Sequence, residues 1–446
     1  MTKSFFYAAC LGVLVLGFSC SPDNEEYSPI SSDTELEEQI LQLTASLDDL
    51  KLPHNDLSGI PSDPKNPITS EKVALGKLLF HETGLGTAPK QVEGTGTYSC
   101  ASCHHAKAGF QSGMKQGIGE GGTGFGLLGE SRKMDPNYDI AMVDVQPLRS
   151  PTILHTAYQD VMLWNGQFGA TKTNAGTEAS WTTETPKETN SLGFEGVEIQ
   201  AIAGSDVHRL KFDPEMLQNN AVYKALFDAA FPNVPTTERY TKLYGALAIA
   251  AYERSVVASE APFQRWLQGD SDALNADEKQ GALLFFGKGN CYSCHSGPGL
   301  NGMDFHALGM NDLSGAEIIG APIEADIKGR GGFTNNPEDD YKFKTPTIYN
   351  LRDLKFLGHG GCFGSVREVL EYKNMAVAEN EVVPQENISK EFTPLGLSET
   401  EITQLTAFIE NGLFDPNLDR YVPERLPTGH CFPVADEQSR TDLGCN

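Results

Sequence analysis

The chain has 446 residues, enough for two or three domains with sizeable cores. It carries 60 acidic against 34 basic side chains, a formal net charge of −26, which argues against a partner gripped through phosphates; no nucleic acid is expected. The same acidity suits a soluble, self-repelling surface outside the cytoplasm.

The first element is a targeting segment rather than part of the fold. Lys3 supplies the positive start, and the apolar run from Phe5 to Phe18 is too short to span a bilayer. It ends Gly17-Phe18-Ser19-Cys20, which resembles a bacterial lipoprotein cleavage box with Cys20 as the lipid-bearing residue. Ordinary signal cleavage near the same place is the alternative. Residues 1–20 are therefore read as a lipoprotein signal peptide. The acidic run Ser21-Pro22-Asp23-Asn24-Glu25-Glu26 is similar to a surface-export signal. The expected location is extracytoplasmic, as a periplasmic or cell-surface lipoprotein of a bacterial outer membrane, touching the membrane through its lipid anchor.

Residues 21–67 read as a polar linker with one short helix, in which Leu36, Ile40, Leu41, Leu43 and Leu47 recur at near-helical spacing behind Ser32 or Asp33 as cap. The spacing of Val73, Leu75, Leu78, Leu79 and Phe80 predicts a helix from Lys72 to His81. A Gly-rich loop from Thr83 to Thr97 then leads to Cys100-Ala101-Ser102-Cys103-His104. Glycines crowd residues 109–129 without strand or helix period, so this stretch is read as loop around the site that the motif builds. Residues 165–200 are a further long loop. Helices are expected near 214–230, 236–258 and 276–288, the last running into Cys291-Tyr292-Ser293-Cys294-His295, and then at 364–377 and 399–412. The fold class is mainly α, with two cytochrome c-like haem domains and long loops: residues 68–260 and residues 261–446.

Both five-residue stretches read C-x-x-C-H, the attachment signal for a c-type haem. Two thiols at that spacing reach the two vinyl groups of one porphyrin, and the adjacent His ligates the iron. With 9 Cys and 10 His in the chain, one such motif arises by chance about once in 250 chains, and two on the order of once in a hundred thousand. A redox C-x-x-C pair wants a βαβ context that is missing, and a zinc site would leave both His idle. Two covalently bound c-type haems are therefore expected, on Cys100, Cys103 and His104 and on Cys291, Cys294 and His295. Of the remaining cysteines, Cys431 and Cys445 share a Pro/Gly-rich tail and are the favoured disulfide. Cys362 is left free, or pairs with one of them.

Several further stretches carry a resemblance. Glu71-Lys72 to Leu79-Phe80 before the first motif, Arg149-Ser150-Pro151-Thr152, Leu163-Trp164-Asn165-Gly166-Gln167, Gly281 to Phe286 before Cys291, Phe343-Lys344-Thr345-Pro346-Thr347-Ile348-Tyr349-Asn350 and His359-Gly360-Gly361 follow one another. In that order they resemble the bacterial dihaem cytochrome c peroxidase and MauG family. The resemblance covers roughly residues 65–430.

The resemblance implies roles. The His104 haem would be the peroxidatic site, and the His295 haem would receive electrons. Trp164 would lie between them, and Arg149 would help bind cofactor. The distal acid–base group falls among Glu195, Glu198 and His208, with Arg209 as a charge partner for His208. The sixth ligand of the second haem falls near Lys373, with Tyr372 and Met375 flanking it; Met would raise the potential and Tyr lower it. The chain departs from the family in having no His but His105 between the first motif and Arg149 to cap the resting haem. Ser150 stands where an Asn helps hold calcium, which weakens the case for that ion. The reaction implied is reduction of hydrogen peroxide to water with electrons from a small cytochrome c or cupredoxin. The alternatives are a MauG-like oxidase of a protein or organic substrate, or a dihaem electron-transfer cytochrome without turnover. Family members often form homodimers, which the resemblance extends to this chain.

Overall fold

The computed structural model describes Met1, residues 32–54 and residues 56–445. The signal segment, Cys20 and the acidic run after it lie outside the described residues. Helices joined by long loops make the fold, and the strands are two short antiparallel ribbons: β1 (Gly122–Thr123) with β2 (Lys133–Met134), and β3 (Phe305–His306) with β4 (Phe343–Lys344). The mainly α expectation holds. Among the described residues no helix is long and apolar enough to cross a membrane.

The described part of the segment read as a linker, from residue 32 on, packs into the core. Helix α1 (Ser32–Leu41) buries Leu36 and Ile40, while Leu43, expected on the same face, lies beyond its end and is exposed. Asp33 accepts a hydrogen bond from Trp266 Nε1 at 2.7 Å and pairs with Lys279 at 2.7 Å, so α1 is tied to the second half of the chain. Further on, Asp63 and Asn66 are buried and reach toward Glu195 and Glu198.

Helix α2 (Ser70–His81) starts at Thr69, whose hydroxyl accepts from Lys72 N, and packs on the later helix α4 (Lys242–Ser255). Gly76 makes that contact close: a Cβ there would stand 1.9 Å from Ala248 O. The second half repeats the device. Helix α5 (Ala276–Phe286), opened by a capping box from Asn275 and Glu278, crosses α7 (Glu399–Ala407), and a Cβ on Gly281 would stand 2.1 Å from Gln404 O. Both glycines open the same string, G-x-L-L-F, at Gly76–Phe80 and at Gly281–Phe285.

The repeat continues. Each C-x-x-C-H motif follows its helix, then Pro151-Thr152-Ile153 or Pro346-Thr347-Ile348. A bridged turn comes next, Met162 with Phe168 or Leu357 with Phe363. A helix then follows: α3 (Gly196–Val207) in the first half, α6 (Val366–Met375) in the second. The chain is thus built from two copies of one plan.

Three expectations need correction. Gly196–Val207 is a helix, although its first residues were read as loop. The spans 214–230 and 236–258 each break, at Asn220 and near Tyr240. Residue 260 is also no boundary in space. Ser32–Asn446 forms one compact unit, and the tail returns to the first motif. There Ser99 and Ser102 both donate to Pro433 O, at 2.9 and 3.1 Å, Ala435 N donates to Thr97 O at 2.9 Å, and Arg132 pairs with Asp436 at 3.3 Å. The expected Cys431–Cys445 disulfide closes this tail, and Cys362 is a free thiol.

Candidate haem sites

Cys100–Ser102 forms one tight turn, capped by Ser99 and Ser102, and Cys103 and His104 follow it. The His104 ring is half-buried and its Nδ1–H faces Phe110 O at 3.4 Å, which leaves Nε2 for a metal. Burial, with the nearby charge of His208 second, holds its pKa down to about 4, so the imidazole is neutral, the form that ligates iron. Gly117 passes directly over the motif: a Cβ there would lie 2.9 Å from Cys103 Sγ and 2.7 Å from Ser150 Oγ. His105 turns away, its Nε2–H donating to Leu128 O at 2.7 Å.

His208 ends α3 and lies near His104 in charge terms. Its Nδ1–H donates to the buried Asp144 Oδ2 at 2.8 Å, and the ring reclines over Gly204, where a Cβ would meet His208 Cδ2 at 3.9 Å. Burial works against a charge on this ring, but the Asp144 carboxylate outweighs it and raises the pKa. Arg209 does not join it as expected. Its guanidinium pairs with the fully buried Glu120, which also accepts from Tyr138 OH.

Glu198, the other expected acid–base group, is fully buried and committed. Arg254 Nε donates to its Oε1 at 2.9 Å and Nη2 to its Oε2 at 2.6 Å, while Asn66 Nδ2 adds a third bond at 3.2 Å. Glu195 shares the same Arg254 and also pairs with Lys172. This geometry joins α3 to α4 and leaves neither Glu198 oxygen for a substrate. A carboxyl the sequence reading passed over lies next to Arg254: Glu253 is buried, its Oε2 has no partner, and burial raises its pKa to about 8, with the Glu198 charge adding to the shift. Its signal was an acid set directly after the apolar run Ala246–Tyr252.

The second motif is presented by α5 and a left-handed Asn290. His295 Nδ1 faces Pro346 O at 3.0 Å and Leu300 O at 3.3 Å, again leaving Nε2. Burial first, then the Lys373 charge, lowers its pKa to about 4. Cys291, Cys294 and His295 line a cavity of about 430 Å³ walled by apolar side chains such as Phe285, Leu308 and Ile409. That size and character suit a cofactor.

Among the described residues, two buried cations that face this cavity pair with no carboxylate. Arg149 donates from Nε to Phe356 O at 2.6 Å and from Nη2 to Ser112 O at 3.1 Å, but Nη1 has no partner, and burial lowers its pKa to about 10. Lys344 Nζ has only Gln159 Oε1, at 2.6 Å, and burial lowers it to about 8. Unpaired buried cations are costly, so they fit a cofactor that brings its own carboxylates, as haem does through its propionates. Trp164 lines the same cavity and donates from Nε1 to Arg149 O at 2.8 Å. Its ring meets His359 edge-on at 6.3 Å, and His359 stacks on Phe343 at 3.8 Å.

The residues named for the second haem's sixth position separate. Met375 is 60% exposed and lies outside the cavity. Tyr372 is buried on another face of α6, donating to Leu308 O at 2.5 Å and packing on Phe363 and Phe392. Lys373, between them in sequence, lines the cavity. The expectation of Met375 or Tyr372 is corrected by helix phase: neither shares the face of α6 that meets the motif. For calcium, no group of three or more His, Cys, Asp or Glu gathers to hold a metal ion among the described residues.

These paired attachment motifs, each with a tethered His, define a dihaem c-type cytochrome architecture. Residues 70–272 match the family model described as di-haem cytochrome c peroxidase. The chain is 31% identical over 364 residues to the methylamine utilization protein MauG of Methylorubrum extorquens, covering 80% of this chain and 82% of that one. It is 30% identical over 392 residues to the cytochrome-c peroxidase IdrP1 of Denitromonas iodatirespirans, covering 82% and 88%. The fold is similar to the crystal structure of a MauG-like protein associated with microbial copper homeostasis, with TM-score 0.55 at 22% identity over 82% of this chain and 95% of that one. The chain belongs to the di-haem cytochrome c peroxidase and MauG family.

Proposed function

We propose that the protein is an extracytoplasmic dihaem peroxidase that reduces hydrogen peroxide to two waters, taking two electrons from a small redox protein and two protons from solvent. The observation that carries this reading is the His208–Asp144 pair beside His104. Haem bound through Cys100, Cys103 and His104 would supply the iron that polarises the O–O bond. The chain's own residues move the proton. Asp144 fixes the His208 tautomer by accepting from Nδ1, so Nε2 is the basic atom. It takes the proton from one peroxide oxygen and delivers it to the leaving oxygen. Arg149 and Lys344 anchor the second cofactor, and Trp164 lies along the path that electrons from the second site would take. Glu198 acts by holding α3 in place.

The missing His between Lys107 and Met134 supports an iron at the first site that is open in the oxidised protein. The test is stopped-flow mixing of the oxidised holoprotein with peroxide: reaction without prior reduction supports the proposal, and a wholly low-spin, inert resting state overturns it. One observation favours a MauG-like oxidase instead, namely the exclusion of Met375 from the second cavity, since a thioether would have raised that haem's potential for electron uptake. Peroxide consumption that needs an organic or protein reductant, and is indifferent to reduced cytochrome, would select that reading.

A further inference from the structure

We propose that Lys373 is the sixth ligand of the haem attached at Cys291 and Cys294, binding iron through its ε-amine opposite His295. The inference rests on the dihaem reading above and extends it to a ligand outside the expected Met and Tyr.

Helix phase is the first support. Val366, Val369, Leu370 and Lys373 stand at i, i+3, i+4 and i+7 of α6, and all four line the cavity that holds Cys291, Cys294 and His295. Of that face, Lys373 alone carries a donor atom. Its neighbourhood is the second support. Among the described residues its ammonium has no hydrogen bond and no ion pair; the Phe392 ring lies 5.5 Å from Nζ, and the Glu391 carboxylate on the cavity wall acts on it only through space. Lys373 lines the same cavity as Cys291, Cys294 and His295, the three groups that would hold the cofactor. A lysine half-buried there without an acceptor lacks a reason in the protein alone.

The internal repeat is the third support. In the first half, α3 occupies the place of α6 and brings His208 to the His104 site from its C-terminal end. In the second half, the corresponding end of α6 brings Lys373. The two halves therefore use the C-terminal ends of two helices that follow in the same order for two kinds of chemistry: a proton-transfer imidazole held by Asp144, and an amine with no hydrogen-bonded acceptor among the described residues.

The other cavity groups that could ligate iron are Met310, His306, His359 and Tyr341. His359 is held between the stacked Phe343 and Asp312, at 3.2 Å from Nε2. His306 turns Nδ1 toward Glu391 at 3.8 Å and interacts with the Cys294 sulfur on the attachment side, while its Nε2 has no hydrogen-bond partner among the described residues, so the Lys373 variants must decide between the two. Met310 lies against Gly358, where a Cβ would stand 3.4 Å from Sδ. Ligation costs Lys373 one proton, released to solvent, and changes no oxidation state. As a hard nitrogen donor it favours ferric iron, so this haem's potential lies below that of a thioether-ligated one.

The experiment is low-temperature EPR and near-infrared magnetic circular dichroism on the oxidised holoprotein, with haem counted by pyridine haemochrome in each variant. The expected wild-type result is one low-spin haem with two nitrogen ligands. Lys373→Met should convert it to a nitrogen–thioether haem of higher midpoint potential, and Lys373→Ala should make it high-spin, with methylamine restoring the low-spin signal. All variants should keep two haems, and His208→Ala should leave the low-spin signal unchanged. Wild-type spectra retained in both Lys373 variants overturn the assignment. So does a tyrosinate or thioether signature in the wild type, or a low-spin signal lost on His208→Ala. Fewer than two covalent haems in the wild type would overturn the dihaem reading itself.

Discussion

His208 and Glu198 entered as alternatives for one role, and their surroundings divide the work. Replacing His208 by Ala is expected to slow the peroxide reaction by roughly 10²–10⁴-fold, the size of a lost acid–base catalyst, with both haems retained. Glu198→Ala should instead strip the buried Arg254 of its two-oxygen partner and leave Glu195 alone to balance its charge, at a cost of up to about 3–5 kcal/mol; a lowered denaturation midpoint checks it. Gly117 makes a third case. Its Cα sits so close to Cys103 that Gly117→Ala must push either the loop or the sulfur. The expected outcome is a protein with the second haem in full and the first depleted, read by mass spectrometry of the haem peptides. None of these distinctions was open to sequence reading. A Glu within reach of a motif looks the same whether an Arg 56 residues later consumes it or not.

At the scale of elements, the C-terminal tail is the least expected part. Its cysteines were paired correctly because both stood in a segment with little core of its own. Its destination was hidden, since nothing local in residues 426–445 points to Ser99 or Arg132. Glu82 explains part of the attachment: buried, it accepts from Tyr223 OH and Thr428 Oγ1 and from His430 Nδ1, at 2.6, 2.8 and 3.1 Å. The hydrogen bond to Glu82 raises the His430 pKa against the opposing effect of burial. A raised His pKa adds stability that is complete below the unfolded value of about 6.5 and is lost as pH climbs through the folded value. Tail protection should therefore weaken above neutral pH, and His430→Gln should flatten the change; amide hydrogen exchange of residues 428–445 measures both. The α6 face was legible in outline, because its apolar spacing is helical, yet the inward residue could not be told from its neighbours until the phase was known.

For the whole molecule, the two-copy plan was written in the sequence as G-x-L-L-F and P-T-I, but each string is too short to stand out alone. What was legible came from spacing with a chemical reason, the two attachment motifs above all. What was not came from contacts between distant segments, as in the buried α1 and the erased boundary at residue 260. The charge of −26 carries its own prediction. If a basic redox protein supplies the electrons, turnover should fall steeply as salt rises from 10 to 200 mM, roughly the range over which screening shortens from about 30 Å to under 10 Å. Steady-state rates at several ionic strengths test it, and a flat profile would exclude steering by this surface.

The tail's position also sets an order of manufacture. Residues 433–436, made long after the motif, close on the turn that presents Cys100 and Cys103. If haem is attached there as proposed, it must be joined while the turn is still open, with its thiols reduced, whereas Cys431 and Cys445 must be oxidised to finish the lid. On that reading the chain needs opposite redox treatment at two neighbouring places, in sequence: reduction and attachment first, oxidation and closure second. A cell that oxidised this protein too early would seal the first site before anything had been placed in it.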